Sequence, residues 1–203
     1  MNKIFLDCGA WEGTSLFYFT HNYPHANSFI KYAFECNPSV LPLLRNNIKN
    51  KNIRNAEVIS KAVWIEDSSI KLKRGDSRFS ESDSLIKEKR ILRHDDRKDV
   101  MVGCIDFSKW CKNNISESDY VICKMNIEGA EYQILQKMIE DETIGLIDYW
   151  YIDWHWNKID MSEEEHIERL KMFENTGAKY TKWGLEIGDM ELIETYRGQC
   201  NGK

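Results

Sequence analysis

Ile4-Phe5-Leu6-Asp7-Cys8-Gly9-Ala10-Trp11-Glu12-Gly13 decides the reading of this chain. An apolar run ends in an acid, and a turn carrying two glycines follows. Thr14-Ser15-Leu16-Phe17-Tyr18-Phe19 then opens a helix whose first turn presents N–H groups without helical partners. Strand, glycine turn and helix form the first unit of an α/β sheet. The spacing is Asp7-x-Gly9-x-x-x-Gly13, and not the G-x-G-x-x-G that brings a backbone close to a pyrophosphate. A nicotinamide dinucleotide is therefore disfavoured.

Phe29 to Phe34 reads as a second buried strand and ends in Glu35, 22 residues past Gly13. A carboxylate there accepts hydrogen bonds from both hydroxyls of a ribose. The turn, the helix and the second-strand acid together point to a nucleoside cofactor without phosphate. S-adenosyl-L-methionine fits, because its amino-acid end carries an ammonium and a carboxylate that suit an acid and an open glycine turn.

Outward from this unit, strands and helices alternate. Asn37-Pro38 is expected to start a helix with Val40, Leu41, Leu44 and Ile48 on one face. Glu57 to Trp64 is expected as one strand and Ile70 to Lys73 as a short arm. Residues 76–99 are polar and charged, a solvated loop or a lid. Val100 to Ile105 alternates as a strand, and Asp106 caps a helix carrying Phe107, Trp110 and Cys111. Tyr120 to Met125 is a buried strand running into Asn126-Ile127-Glu128-Gly129-Ala130-Glu131, with a helix after it. Another strand lies within Ile144 to Trp156. Ser162 and Glu165 form a capping box for a helix with Ile167, Leu170 and Phe173 inward and Gly177 as its stop. Lys179–Ile187 and Met190–Tyr196 read as a closing antiparallel hairpin. The pattern predicts a mostly parallel sheet covered on both faces, with an antiparallel final strand, in one domain over residues 1–203.

In such sheets ligands sit at the carboxyl ends of the strands, where strand order reverses. Asp7, Glu35, Glu128, Asp153 and His155 all fall at expected strand ends. An alcohol acceptor needs a base, and His155 is the first candidate because imidazole titrates near neutrality. Glu128 is the second; Glu131 reads equally well as a solvated helix residue. Lys124 ends a buried strand, where an unpaired ammonium is costly, so it is expected to pair with Glu128, Asp153 or the substrate. Asp153 and His155 share a face if the strand stays extended, as metal ligands can, but no metal is assigned. Trp150, Trp154 and Trp156 are spaced to share a face, either packed under helices or, at the strand end, stacked on a sugar.

Three stretches carry a family resemblance: Phe5-Leu6-Asp7-Cys8-Gly9-Ala10, Tyr32-Ala33-Phe34-Glu35-Cys36-Asn37-Pro38, and Cys123 to Glu131. Lys61-Ala62-Val63, Ser84-Leu85 and Ile152-Asp153-Trp154-His155 add weaker matches. With them the chain resembles the FkbM-type S-adenosylmethionine-dependent methyltransferases. That resemblance implies a Rossmann-like sheet of seven strands with an antiparallel last strand, and O-methylation of hydroxyls on sugars and other small molecules. It implies that Asp7, Gly9, Gly13 and Glu35 line the cofactor; Ala10, Cys36, Ala62 and Asn126 complete the expected cofactor set, and His155, Glu128, Lys124 and Asp153, read from their own chemistry, are the residues expected to carry the reaction. The family usually has Asp where this chain has Asn126.

Composition sets the outer bounds. The chain has 203 residues with 28 Lys+Arg against 33 Asp+Glu, a net charge of −5. A broad nucleic-acid or anionic-membrane footprint would need clustered Lys/Arg. No apolar run is long enough to span a membrane, and Asp7 interrupts the first apolar run too early for a signal-peptide core. The cytoplasm is the expected location, with the six cysteines as reduced thiols. Two other readings keep the fold. One makes RNA ribose the acceptor, through Arg74, Arg78, Lys87, Lys89, Arg90, Arg93 and Arg97 interleaved with acids. Lys124, Asp153 and a glutamate are loosely similar to the Lys-Asp-Lys-Glu set of ribose 2′-O-methyltransferases, without an evident second lysine. The other, motivated by Asn126, is a cofactor-binding module without turnover.

Overall fold

A computed structural model describes residues 1–74, 83–86 and 99–183. In chain order its elements are β1 (Lys3–Cys8), α1 (Thr14–Asn22), β2 (Phe29–Phe34), α2 (Leu41–Asn50), β3 (Ala56–Ile59), β4 (Ala62–Trp64) and β5 (Ser69–Leu72). Then come β6 (Val100–Asp106), α3 (Phe107–Asn114), β7 (Tyr120–Met125), α4 (Glu131–Glu140), β8 (Tyr149–Ile152), α5 (Glu163–Glu174) and β9 (Tyr180–Lys182). Six strands form one sheet in the order β3-β2-β1-β7-β8-β9. Each of these pairings is parallel.

The central strands are apolar almost throughout because helices cover both faces. Phe5, on one face of β1, packs with Leu16 and Phe19 of α1 and Leu44 of α2. Ile4, Leu6 and Cys8, on the other, pack with Phe107, Leu135, Met138 and Phe173 from α3, α4 and α5. The chain leaves β1 toward β2 on one side and returns to β7 on the other, so the strand order reverses at β1. This is the α/β architecture the alternation predicts. The seventh strand expected at Met190–Tyr196 lies outside the described residues.

Three local expectations are corrected. The single strand expected over Glu57–Trp64 is two: a tight turn in which Lys61 N–H donates to Ile59 C=O at 2.9 Å ends β3. β4 then joins a second sheet, parallel to β6, whose other edge β5 is antiparallel. Asn37 does not open α2. Its side chain accepts from Ser39 N–H at 2.9 Å and its carbonyl takes Val40 and Leu41 N–H, so it caps a preceding turn. Ile167 on α5 is exposed, leaving Phe173 as that helix's buried anchor. The capping box of Ser162 and Glu165 and the Asp106 cap of α3 form as the sequence indicates. No helix among the described residues is long and apolar enough to cross a membrane.

Candidate active site

The glycine turn after β1 is held from below. Gly9 and Ala10 N–H both donate to Phe34 C=O at the end of β2, at 3.1 and 2.9 Å, and Gly13 N–H donates to Ala10 C=O. Trp11 N–H donates to Glu35 Oε2 at 2.9 Å. With these donors engaged within the protein, the turn offers no cradle of free Gly9, Ala10, Trp11 and Gly13 N–H groups to a phosphate. Gly9 has φ +77°, and a Cβ there would strike the Asn126 carbonyl. Only glycine lets the turns after β1 and β7 touch, and Asn126 N–H completes the contact by donating to Cys8 C=O at 3.1 Å.

Above these turns lies an open cleft of about 600 Å³, its solvent-filled mouth included. Gly9, Trp11, Glu35, Cys36, Asn126 and Glu128 line its floor and sides. Ala62, Val63, Leu72 and Leu85 make an apolar wall, and Asp83 stands beside them. The described lining includes three carboxylates (Glu35, Asp83, Glu128) and neither lysine nor arginine. Such a lining repels a pyrophosphate and suits a cationic ligand.

The model of the methyltransferase FkbM domain matches residues 7–180, across these elements. The chain belongs to the FkbM methyltransferase family. It is similar in fold to the crystal structure of methyltransferase FkbM from Methylobacillus flagellatus KT, with a TM-score of 0.52 at 14% identity. That match covers 86% of this chain and 37% of the other, so the chain spans well under half of that protein's length. No curated protein matches it.

Within this FkbM-family domain the expected cofactor residues divide. Gly9, Glu35, Cys36, Ala62 and Asn126 line the cleft, whereas Asp7, Ala10 and Gly13 lie outside its lining. Asp7 is fully buried, 3.0 Å from Lys124 Nζ, and accepts from Ser15 Oγ at 2.6 Å. Ala10 is buried beneath the turn. Gly13 is the N-cap of α1, at φ +91°. Glu35 Oε1 accepts from Asn37 N–H at 2.7 Å, so one backbone donor holds each carboxylate oxygen and lone pairs remain for a ligand. Burial raises its pKa, against the pull of the Asn37, Trp11 and Cys36 N–H groups and the Lys124 charge. Burial likewise pushes the Cys36 thiol well up, helped by Glu35, Cys104 and Asp83.

The expected catalytic residues divide as well. Lys124 pairs with neither Glu128 nor Asp153; besides Asp7 it donates to Gly9 C=O at 2.7 Å, so it supports the turn from beneath the cleft. His155 is buried, with Nδ1 2.9 Å from Glu131 Oε1 and Nε2 3.3 Å from Glu128 Oε1 and 3.4 Å from Asp153 Oδ2. Burial alone would lower its pKa. Hydrogen bonds to Asp153 and Glu131 and the fields of Glu131 and Glu128 outweigh this and raise it to about 9. With carboxylates facing both ring nitrogens, His155 favours the imidazolium form, which suits it poorly as a base, and it lies outside the cleft lining. Glu128 does line the cleft.

Sequence reasoning left Glu131 open and missed Lys158. Glu131, which reads equally well as a solvated helix residue, is fully buried and takes Ile127 and Gly129 N–H at 2.9 and 2.8 Å, in the first turn of α4. Lys158 reaches both Glu128 oxygens at 3.2 Å, from a short 3-10 turn, Trp156–Lys158. Among the described residues no His/Cys/Asp/Glu group is arranged for a metal. Trp154 packs against Phe173 and Tyr180, and Trp156 stacks on His166 at 5.6 Å. Of the basic residues proposed for RNA, Arg74 is paired with Asp83 at 3.3 Å, and the rest lie outside the described residues.

Proposed function

We propose that this methyltransferase domain uses S-adenosyl-L-methionine to methylate a hydroxyl of a small molecule or carbohydrate. The supporting observation is the cleft at the β1 switch point, lined with carboxylates and closed to phosphate by the internal bonding of its glycine turn. Glu35, fixed by two backbone donors, keeps lone pairs that would accept the ribose hydroxyls. Ala62, Val63, Leu72 and Leu85 offer an apolar wall for a flat base. Gly9 and Asn126 line the same cleft and would flank the methionine end.

When bound, S-adenosylmethionine supplies an already activated methyl group on a cationic sulfonium. The protein's own task is to align an acceptor oxygen with it and to remove the hydroxyl proton.

Calorimetry with S-adenosylhomocysteine tests the cofactor. Binding by the wild-type chain, weakened about 10- to 100-fold in Glu35→Ala by loss of hydrogen bonds to a charged acceptor, supports the proposal. No binding at millimolar ligand, or equal binding by the variant, rejects it. Asn126 favours a binding-only reading; transfer of labelled methyl to any acceptor in a glycan screen removes that reading.

A further inference from the structure

Where β7 and β8 end, Glu128, Glu131, Asp153, His155 and Lys158 meet. The three carboxylates are not equivalent. Glu131 is fully buried, and two backbone N–H groups and His155 engage it. Asp153 faces His155 from the end of β8 and is not part of the cleft lining. Glu128 lines the cleft. Its backbone is held in the left-handed region at φ +59°, and its carbonyl accepts from Ser84 Oγ at 2.7 Å. A non-glycine residue in that conformation persists only when its surroundings impose it, and such residues concentrate at functional sites.

The histidine fixes this arrangement. Carboxylates face both of its ring nitrogens: Glu131 from α4 at Nδ1, and Glu128 from the β7–α4 turn and Asp153 from the end of β8 at Nε2. A neutral imidazole would turn one lone pair on a carboxylate, so the geometry requires a donor on each side. A histidine already donating at both nitrogens has no lone pair for a substrate proton.

We infer that Glu128 is the catalytic base that takes the acceptor's hydroxyl proton, and that His155 is a positioning residue that orients it, with Lys158 on its outer side. The assignment rests on the proposed methyl-transfer reading. As the acceptor oxygen bonds to the methyl carbon, the carbon–sulfur bond breaks and leaves its electron pair on sulfur. The O–H proton passes to a Glu128 oxygen, so the sulfonium charge and the carboxylate charge disappear together. A carboxylate beside the acceptor oxygen stabilises the positive charge that this oxygen gains as it attacks and before its proton leaves.

The test needs no acceptor. Sinefungin carries an ammonium-bearing carbon where S-adenosylmethionine carries its methyl sulfonium, so it reports a carboxylate facing that position. Calorimetry on the full chain compares sinefungin with S-adenosylhomocysteine. Glu128→Gln is expected to bind sinefungin about tenfold more weakly while its S-adenosylhomocysteine affinity moves less than about twofold. Lys158→Met, at a half-exposed side chain, removes the competing cation and is expected to strengthen sinefungin binding about threefold. Nitrogen-15 NMR should find His155 protonated at both ring nitrogens at neutral pH in the wild type. An unchanged sinefungin preference in Glu128→Gln, or a singly protonated His155, overturns the assignment with the cofactor reading intact. Failure of the wild type to bind S-adenosylhomocysteine overturns the cofactor reading itself.

Discussion

Asp7 and Lys124 are neighbours in the parallel register of β1 and β7, and Lys124 Nζ lies 3.0 Å from Asp7 Oδ1 in the buried centre of the sheet. In-register side chains on adjacent strands point to the same face, so two residues 117 apart in the chain meet without any loop rearrangement. Ser15 Oγ at the start of α1 donates to Asp7, and Lys124 continues to Gly9 C=O. The pair ties β1, β7, α1 and the glycine turn into one platform under the cleft.

Breaking that pair leaves a buried charge without compensation. Asp7→Ala or Lys124→Ala should each lose about 3–5 kcal/mol in urea unfolding. Asp7→Leu with Lys124→Met should lose much less than the sum, because an apolar pair of similar volume leaves neither charge stranded.

Two glycines with the same backbone angle should respond differently to alanine. Gly9 and Gly177 both have φ +77°. A Cβ at Gly9 strikes the Asn126 carbonyl, while at Gly177 it meets open space. Gly177→Ala should cost about 1 kcal/mol, the left-handed penalty alone. Gly9→Ala should cost more than about 3 kcal/mol, with loss of ligand binding, since two backbone turns must separate. Thermal melts of the two variants decide this.

His155 makes stability pH-dependent. Its folded pKa of about 9 lies above the ordinary 6.5, so its contribution is fully present below about pH 6.5 and is lost as pH rises through about 9. The amplitude is on the order of 3 kcal/mol. Asp153 acts in the acid range. Burial would raise its pKa, but the His155 hydrogen bond and charge, with Lys158 and Lys182, hold it low. Its contribution is therefore present above the ordinary carboxylate range and lost as pH falls through its folded value. Urea midpoints from pH 6 to 10 should decline in the wild type and decline less in His155→Gln.

The helix cap offers a local control. Ser162 Oγ accepts from Glu165 N–H at 3.1 Å, and Glu165 Oε2 accepts from Ser162 N–H at 2.9 Å. Ser162→Ala should destabilise the chain by about 1 kcal/mol in thermal melts while leaving S-adenosylhomocysteine affinity unchanged.

Local signals carried much of the fold. Phe29–Phe34 and Tyr120–Met125 stood out as short apolar runs between polar turns and are strands over those residues. The split at Lys61 was not legible, because apolar periodicity does not say which sheet a strand joins. The cleft residues Gly9, Glu35 and Asn126 were legible because each sits at a strand end in a recognisable segment. Pairing was not. Lys124 found Asp7, its register neighbour, and register emerges only once strand order is known. Lys158 escaped notice because the 3-10 turn that brings it beside Glu128 lies between two elements and has no apolar periodicity.

A crystal structure of the chain with S-adenosylhomocysteine decides where the adenosyl group sits. Both ribose hydroxyls should lie within hydrogen-bond distance of Glu35, with the base against Ala62 and Leu72. An adenosyl group bound elsewhere, or a ribose in the cleft turned away from Glu35, would contradict the cofactor proposal.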